Sequence, residues 1–291
     1  MFKGSIVAIV TPFENDKIDE KAYRKLIEFH IKNGTSGIVP CGTTGESATL
    51  SYEEHDRVIE ITVEQVNKRV PVIAGTGSNS THEAIMLTKH AAGVGADASL
   101  QVAPYYNRPT QKGLYEHFKA IAQCADIPMI LYNIASRTGV NIEPETIAKL
   151  AKDCKNIVGV KEASGNLEQM SRIKLLCGPK FDLLSGDDAL TLPVLGIGGT
   201  GVISVVANIV PKDVAELVST FEKGNLKKAQ EIHYKILPLI KAIFIETNPI
   251  PVKTAMGLMG LCEPDLRLPM CAMSEENLAK LKKALKDYGL L

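Results

Sequence analysis

The chain has no surplus charge of either sign: thirty-three lysines and arginines balance thirty-three aspartates and glutamates over 291 residues, and the pI is about 7.0. That balance removes the electrostatic footprint of a nucleic-acid or anionic-membrane partner and leaves small neutral or zwitterionic substrates open. No apolar run reaches the roughly 18 residues needed to cross a bilayer, so no membrane span is expected. The start, Met1-Phe2-Lys3-Gly4-Ser5, shows no basic region, cleavable apolar stretch or A-x-A site, and a cytoplasmic protein is the expectation. Cys41, Cys124, Cys154, Cys177, Cys262 and Cys271 form no CxxC pair, which argues for reduced thiols over a disulfide frame or a zinc site. The six histidines (His30, His55, His82, His90, His117 and His233) fall at no metal-ligand spacing, so no metal is expected. Low-complexity segments are absent too.

What the chain does contain is an alternation of short β-branched runs with amphipathic stretches. Strands are predicted at 5–10, 37–42, 70–77, 98–106, 128–134, 157–164, 182–186 and 201–206. Helices are predicted between them at 19–33, 52–67, 81–93, 111–124, 143–152, 167–176, 189–195 and 212–223. Eight strands each followed by a helix predict an α/β protein, a (β/α)8 TIM barrel over residues 1–224. A doubly wound sheet is the alternative, because strand count does not show closure. After Gly224 the pattern turns to helix without strand, at 226–244, 252–261 and 275–288, which predicts an all-helical C-terminal extension over 225–291. Ser51 with Glu54, and Ser80 with Glu83, have capping-box spacing. Gly34 and Gly93 stand where helices should end.

In such barrels the chemistry sits at the C-terminal ends of the strands. The sixth run, Ile157-Val158-Gly159-Val160-Lys161-Glu162-Ala163-Ser164, is apolar and β-branched until a lysine appears near its end. An ammonium buried there is costly unless it is paired or loses its proton, and a neutral amine attacks carbonyl compounds to form a Schiff base. The competing reading is a lysine that reaches water or pairs with a carboxylate such as Glu162. Other strand ends bring Thr43 and Thr44, Tyr105 and Tyr106, Tyr132 with Arg137 behind it, Gly186-Asp187-Asp188, and Ile203-Ser204 towards the same mouth. A phenol near a cation suits proton transfer at Tyr132, against a strand aromatic that merely fills the barrel. Thr43 and Thr44 between two glycines suit a carboxylate, against an ordinary turn. Arg137 suits bidentate carboxylate binding, against a solvated loop charge. If Tyr105 and Tyr106 both lie in strand, only one faces the barrel interior, and the other needs a second role such as a subunit contact.

Gly196-Ile197-Gly198-Gly199-Thr200-Gly201 satisfies G-x-G-x-x-G, but it precedes a strand instead of linking one to a helix, so it is not taken as a dinucleotide site. Asp187 and Asp188 are read as a helix N-cap after Gly186 in preference to metal ligands.

Gly42-Thr43-Thr44-Gly45-Glu46, Tyr132-Asn133 followed by Ser136-Arg137-Thr138-Gly139, and Gly159-Val160-Lys161-Glu162-Ala163 together resemble the pyruvate-dependent class I aldolase and lyase family. The likeness runs from Gly4-Ser5-Ile6-Val7-Ala8, through Tyr105-Tyr106-Asn107-Arg108-Pro109, to Asn248-Pro249-Ile250-Pro251-Val252-Lys253 and Leu266-Arg267-Leu268-Pro269-Met270. The resemblance implies an enzyme of lysine (diaminopimelate) biosynthesis that condenses pyruvate with L-aspartate 4-semialdehyde and needs no cofactor beyond the covalent Schiff base. It implies Lys161 as the nucleophile and Tyr132, Thr43 and Tyr106 as a proton relay, with Tyr106 supplied by a neighbouring subunit. Thr44 would hold the pyruvate carboxylate, Gly186 and Ile203 would line the pocket through main-chain atoms, and Arg137 would bind the semialdehyde carboxylate. N-acetylneuraminate lyase and the keto-deoxy-sugar aldolases are the relatives it must be told from, and the Arg-Thr-Gly string favours the condensing branch. A non-catalytic barrel that binds a small acid is the remote alternative. A homotetramer built from tight dimers is implied, although some members are dimers. Ser47, Ala48, His55, Asn79, Glu83 and Tyr105 match an inhibitor cleft for lysine in sensitive members, and Tyr52 departs from that pattern.

Overall fold

The computed structural model describes residues 2–291. Eight strands lie side by side: β1 (Gly4–Ala8), β2 (Gly37–Val39), β3 (Ile73–Gly75), β4 (Ala98–Val102), β5 (Met129–Asn133), β6 (Ile157–Glu162), β7 (Asp182–Ser185) and β8 (Gly201–Ser204). Every pairing is parallel, in the order β2-β1-β8-β7-β6-β5-β4-β3. A parallel bridge between Ile38 and Val72 then joins β2 to β3. A doubly wound sheet would leave two open edges and reverse its strand order at a switch point. Here the order is consecutive and the ends meet, so the fold is the (β/α)8 barrel.

The alternation of side chains along each strand divides the core in two. Ile6, Ala8, Val39, Ile73, Ala98, Leu100, Ile130, Leu184 and Ile203 fill the interior. The other faces pack on the surrounding helices, with each fully buried Leu, Ile or Val contributing about 1.5–3 kcal/mol. Helices α1 (Glu20–Lys32), α2 (Tyr52–Val66), α3 (Thr81–Gly93), α4 (Gln111–Ala122), a single turn α5 (Ala135–Thr138), α6 (Pro144–Asp153), α7 (Leu167–Cys177), α8 (Thr191–Gly196) and α9 (Pro211–Glu222) make the outer ring. Helices α10 (Leu226–Ile243), α11 (Ile250–Leu258) and α12 (Glu275–Tyr288) follow. Their Ile232, Ile236, Leu239, Leu281 and Leu285 share one hydrophobic cluster with Tyr23, Val58 and Val202 of the barrel.

Several boundaries differ from the predicted ones, for local reasons. Strands 37–42 and 98–106 end early, before Pro40 and Pro104, and strand 70–77 starts late, after Pro71, because proline lacks the N–H a central strand must donate. Tyr105 and Tyr106 therefore lie beyond β4, and strand alternation does not decide which way they face. The predicted helix 189–195 is split into a 3₁₀ turn (Asp188–Leu190) and α8. A small ribbon pairs Phe13–Glu14 with Lys17–Ile18. Ser51 and Glu54 form the reciprocal capping box of α2. Ser80 caps α3, but the Glu83 carboxylate turns to the Tyr52 and Ser78 hydroxyls instead of closing the box. Gly34 takes the left-handed conformation after α1, whereas beyond α3 that role falls to Gly95 and not Gly93.

Candidate active site

Parallel pairing places Tyr132 of β5 directly opposite Lys161 of β6, so both side chains leave adjacent strands on the same face, into the barrel. The Lys161 ammonium lies 4.2 Å from the centre of the Tyr132 ring, and Lys161 is only 6% exposed. Burial pulls the Lys161 pKa down to about 8; the Asp188 carboxylate opposes that pull and the Arg137 charge adds to it. Burial pushes the Tyr132 phenol up to about 12, outweighing the opposite effects of Arg137 and of a weak polar contact from Thr43. The pair is an amine that loses its proton readily beside a phenol that keeps its own.

Gly186 closes over the lysine stem. A Cβ there would stand 2.6 Å from the Ala163 methyl and 3.2 Å from Lys161 Cε, so only glycine fits without displacing the chain that carries the amine. Ile203 is buried in the barrel interior.

Thr43 and Thr44 ride on the loop after β2, which is fixed from three sides. Gly45 N–H donates to the Gly42 carbonyl and Glu46 N–H to the Thr43 carbonyl, each at 3.1 Å. The Thr11 hydroxyl donates to the Gly45 carbonyl at 2.7 Å. From the C-terminal helices, Lys253 Nζ meets Glu46 Oε1 at 2.6 Å, with both side chains buried. The Asn248 side-chain amide donates to Thr44 Oγ1 at 3.0 Å. Its main-chain carbonyl accepts from Arg137 Nη2 at 3.1 Å.

A cavity of about 630 Å³ opens beside this pair. Thr43, Tyr132, Arg137 and Asn248 line one part of it, and Ser47, Ala48, His55, Glu83 and Tyr105 another, so the space beside Tyr132 and the cleft matched to an inhibitor site are continuous within one chain. Lys161, Thr44, Gly186 and Ile203 are not on its wall. Asn79 is not either; its side chain donates to the Tyr105 carbonyl at 3.2 Å. Tyr52 OH donates to Glu83 Oε1 at 2.5 Å, and burial together with the Glu83 charge raises the pKa of Tyr105. Tyr106 stands apart, 91% exposed and held at a φ of 70°. Among the described residues no group of three or more His, Cys, Asp or Glu side chains is placed to hold a metal ion.

The Dihydrodipicolinate synthetase family model matches residues 1–288. The chain belongs to that family. It is 65% identical to the 4-hydroxy-tetrahydrodipicolinate synthase of Syntrophus aciditrophicus and 63% identical to that of Endomicrobium trichonymphae, with all of each chain covered in both cases. The solved dihydrodipicolinate synthase of Aquifex aeolicus superposes with a TM-score of 0.98 at 54% identity, covering 99% of both chains.

Within this dihydrodipicolinate synthetase barrel, two groups at the site escaped the sequence reading. Asp187 is the N-cap, accepting from Ala189 N–H at 2.9 Å, but Asp188 is buried and turns inward to accept from Val205 and Val206 N–H at 2.9 and 3.0 Å. It supplies the negative charge that Lys161 feels, and burial raises its own pKa. Two adjacent aspartates carry no sign of which one caps. Asn248 belongs to a segment about 200 residues from Thr44, and no spacing rule links them.

Proposed function

We propose that this chain is a 4-hydroxy-tetrahydrodipicolinate synthase that joins pyruvate to L-aspartate 4-semialdehyde through a Schiff base on Lys161. The observation that carries the reading is the buried Lys161, its pKa near 8, in register with a protonated Tyr132. Neutral Lys161 Nζ attacks the pyruvate ketone, forming a C–N bond while the carbonyl oxygen takes a proton. Tyr132 passes that proton from the attacking nitrogen to the oxygen and, recharged by the second nitrogen proton, passes the one with which the carbinolamine loses water. Loss of a methyl proton from the imine gives an enamine; its carbon bonds to the aldehyde carbon while the aldehyde oxygen takes a proton. The semialdehyde's own amine then attacks the imine carbon, closing the ring and releasing Lys161 as the free amine.

Thr43 passes protons between Tyr132 and Tyr106, the latter reaching in from a second subunit of a homotetramer built from tight dimers. Thr44 holds the pyruvate carboxylate, Gly186 and Ile203 present main-chain atoms to it, and Arg137 takes the carboxylate of the semialdehyde. Residues 225–291 act as an extension that braces these loops. The enzyme works in the cytoplasm without a metal or organic cofactor. Ser47, Ala48, His55, Asn79, Glu83 and Tyr105 form the effector cleft, where lysine would have to displace the Tyr52 hydroxyl from Glu83.

Sodium borohydride added with pyruvate should reduce the imine and leave its mass on the peptide containing Lys161. Protein recovered unmodified, or modified at another lysine, would sink the mechanism. A panel of pyruvate with aspartate semialdehyde against cleavage of sialic acid and keto-deoxy-gluconate separates this activity from those of the related lyases.

A further inference from the structure

Asn248 is 5% exposed and stands at the turn between α10 and α11, where it reaches both groups assigned to substrate carboxylates. The two contacts differ in kind. Its side-chain N–H donates to Thr44 Oγ1 at 3.0 Å, whereas Arg137 is held by its main-chain carbonyl at 3.1 Å. A threonine hydroxyl has one proton to give and two lone pairs to accept with. The amide N–H occupies one lone pair, with Asn248 Oδ1 buried and without a partner among the described residues, and the Thr44 proton is left to be directed elsewhere. Among the described residues no other hydrogen bond takes that proton, and Thr44 sits at 2% exposure, so few other donors or waters can set its direction. With the amide turned the other way, Oδ1 would accept the Thr44 proton and cancel it as a donor.

We infer that Asn248 is a positioning residue: its side-chain amide fixes the polarity of the Thr44 hydroxyl so that it donates to the pyruvate carboxylate, while its main-chain carbonyl independently orients Arg137. The inference rests on the role proposed above for Thr44. The architecture separates the two substrates, because a side-chain change at 248 removes the amide and leaves the carbonyl in place. The pyruvate half-reaction should respond to the side chain, and recognition of the semialdehyde should not.

Asn248→Ala should raise the KM for pyruvate roughly tenfold, about one neutral hydrogen bond, with the KM for the semialdehyde within twofold of the parent. Asn248→Asp should be worse for pyruvate, because a carboxylate takes the Thr44 proton and adds negative charge beside a carboxylate ligand. Asn248→Ser, too short to reach Thr44, carries the same expectation as Ala should the alanine variant fail to fold. Concentration-dependent borohydride trapping of pyruvate reads the same half-saturation without the second substrate. A Thr44→Val background decides whether the effect runs through Thr44: there Asn248→Ala should add less than twofold. If Thr44→Val alone leaves pyruvate KM unchanged, the assignment of Thr44 is what fails. If Thr44→Val raises it and the Asn248 variants do not, or they raise both KM values equally, the positioning role is overturned.

Discussion

In the proposed reaction, burial is what makes Lys161 reactive. An ordinary lysine at pH 7 is almost wholly protonated, but with its pKa at about 8 roughly a tenth of Lys161 is a free amine. The sign follows from the form that reacts: attack needs the neutral amine, so imine formation should climb about tenfold per pH unit below 8 and level off above it. Rapid-mixing measurement of pyruvate imine formation between pH 6 and 10 tests this, and an acid limb centred near 10 would show that the amine is not perturbed. Tyr132 moves the opposite way for the same reason, since burial disfavours whichever form carries charge. The sequence placed a phenol near a cation, which by itself would lower the phenol; only the burial of the barrel interior reverses that, and burial is a property of all eight strands together.

At the level of elements, the loop after β2 is held by the helices that follow the barrel. Lys253 of α11 is fully buried, pairs with Glu46 at 2.6 Å, and stands 4.0 Å from the centre of the Phe13 ring. Glu46 Oε2 accepts from the Arg267 N–H, and the Arg267 guanidinium bonds Glu54, the Glu54 of the α2 capping box. Breaking a buried pair by removing one partner strands the other charge, which costs about 3–5 kcal/mol. Lys253→Met should therefore lower stability by that order in denaturant unfolding. Adding Glu46→Gln should recover a large part of it; a double variant as unstable as Lys253→Met would mean that packing, and not charge, is lost. Most helices and the Ser51 capping box were legible because capping and periodicity act over three or four residues; the open Ser80–Glu83 box was not, because Glu83 is drawn to the distant Tyr52. The Glu46–Lys253 pair was not, because nothing local marks which of many lysines is buried.

For the whole molecule, Tyr106 is the residue that a single chain does not explain. It is 91% exposed on a backbone with positive φ, yet it follows a tyrosine that lines the cavity. Surface substitutions of this kind change stability by about 0.5 kcal/mol or less. Under the proposed relay, in which Tyr106 serves a neighbouring subunit, Tyr106→Ala should lower kcat roughly a hundredfold. The decisive check pairs the two readouts: full activity in the Tyr106→Ala protein would remove the residue from the relay. Mixing it with Lys161→Ala subunits should restore activity at the hybrid sites only if Tyr106 crosses between subunits, since each variant then supplies what the other lacks.

The sequence by itself determined the eight-fold β/α repeat, the strand ends that carry polar residues, and the family, because these depend on periodicity and on short strings of neighbouring residues. It also supplied the lysine, the tyrosine and the arginine as chemical types. The tertiary structure decided that the sheet closes through the Ile38–Val72 bridge and that Tyr132 and Lys161 meet in register. It also decided that Asp188, and not Asp187, faces inward, and that Asn248 reaches Thr44 across 204 residues. The physical reason is one of range. Backbone propensity and capping act within a few residues, whereas desolvation, register and hydrogen bonds between distant segments exist only once the barrel has closed.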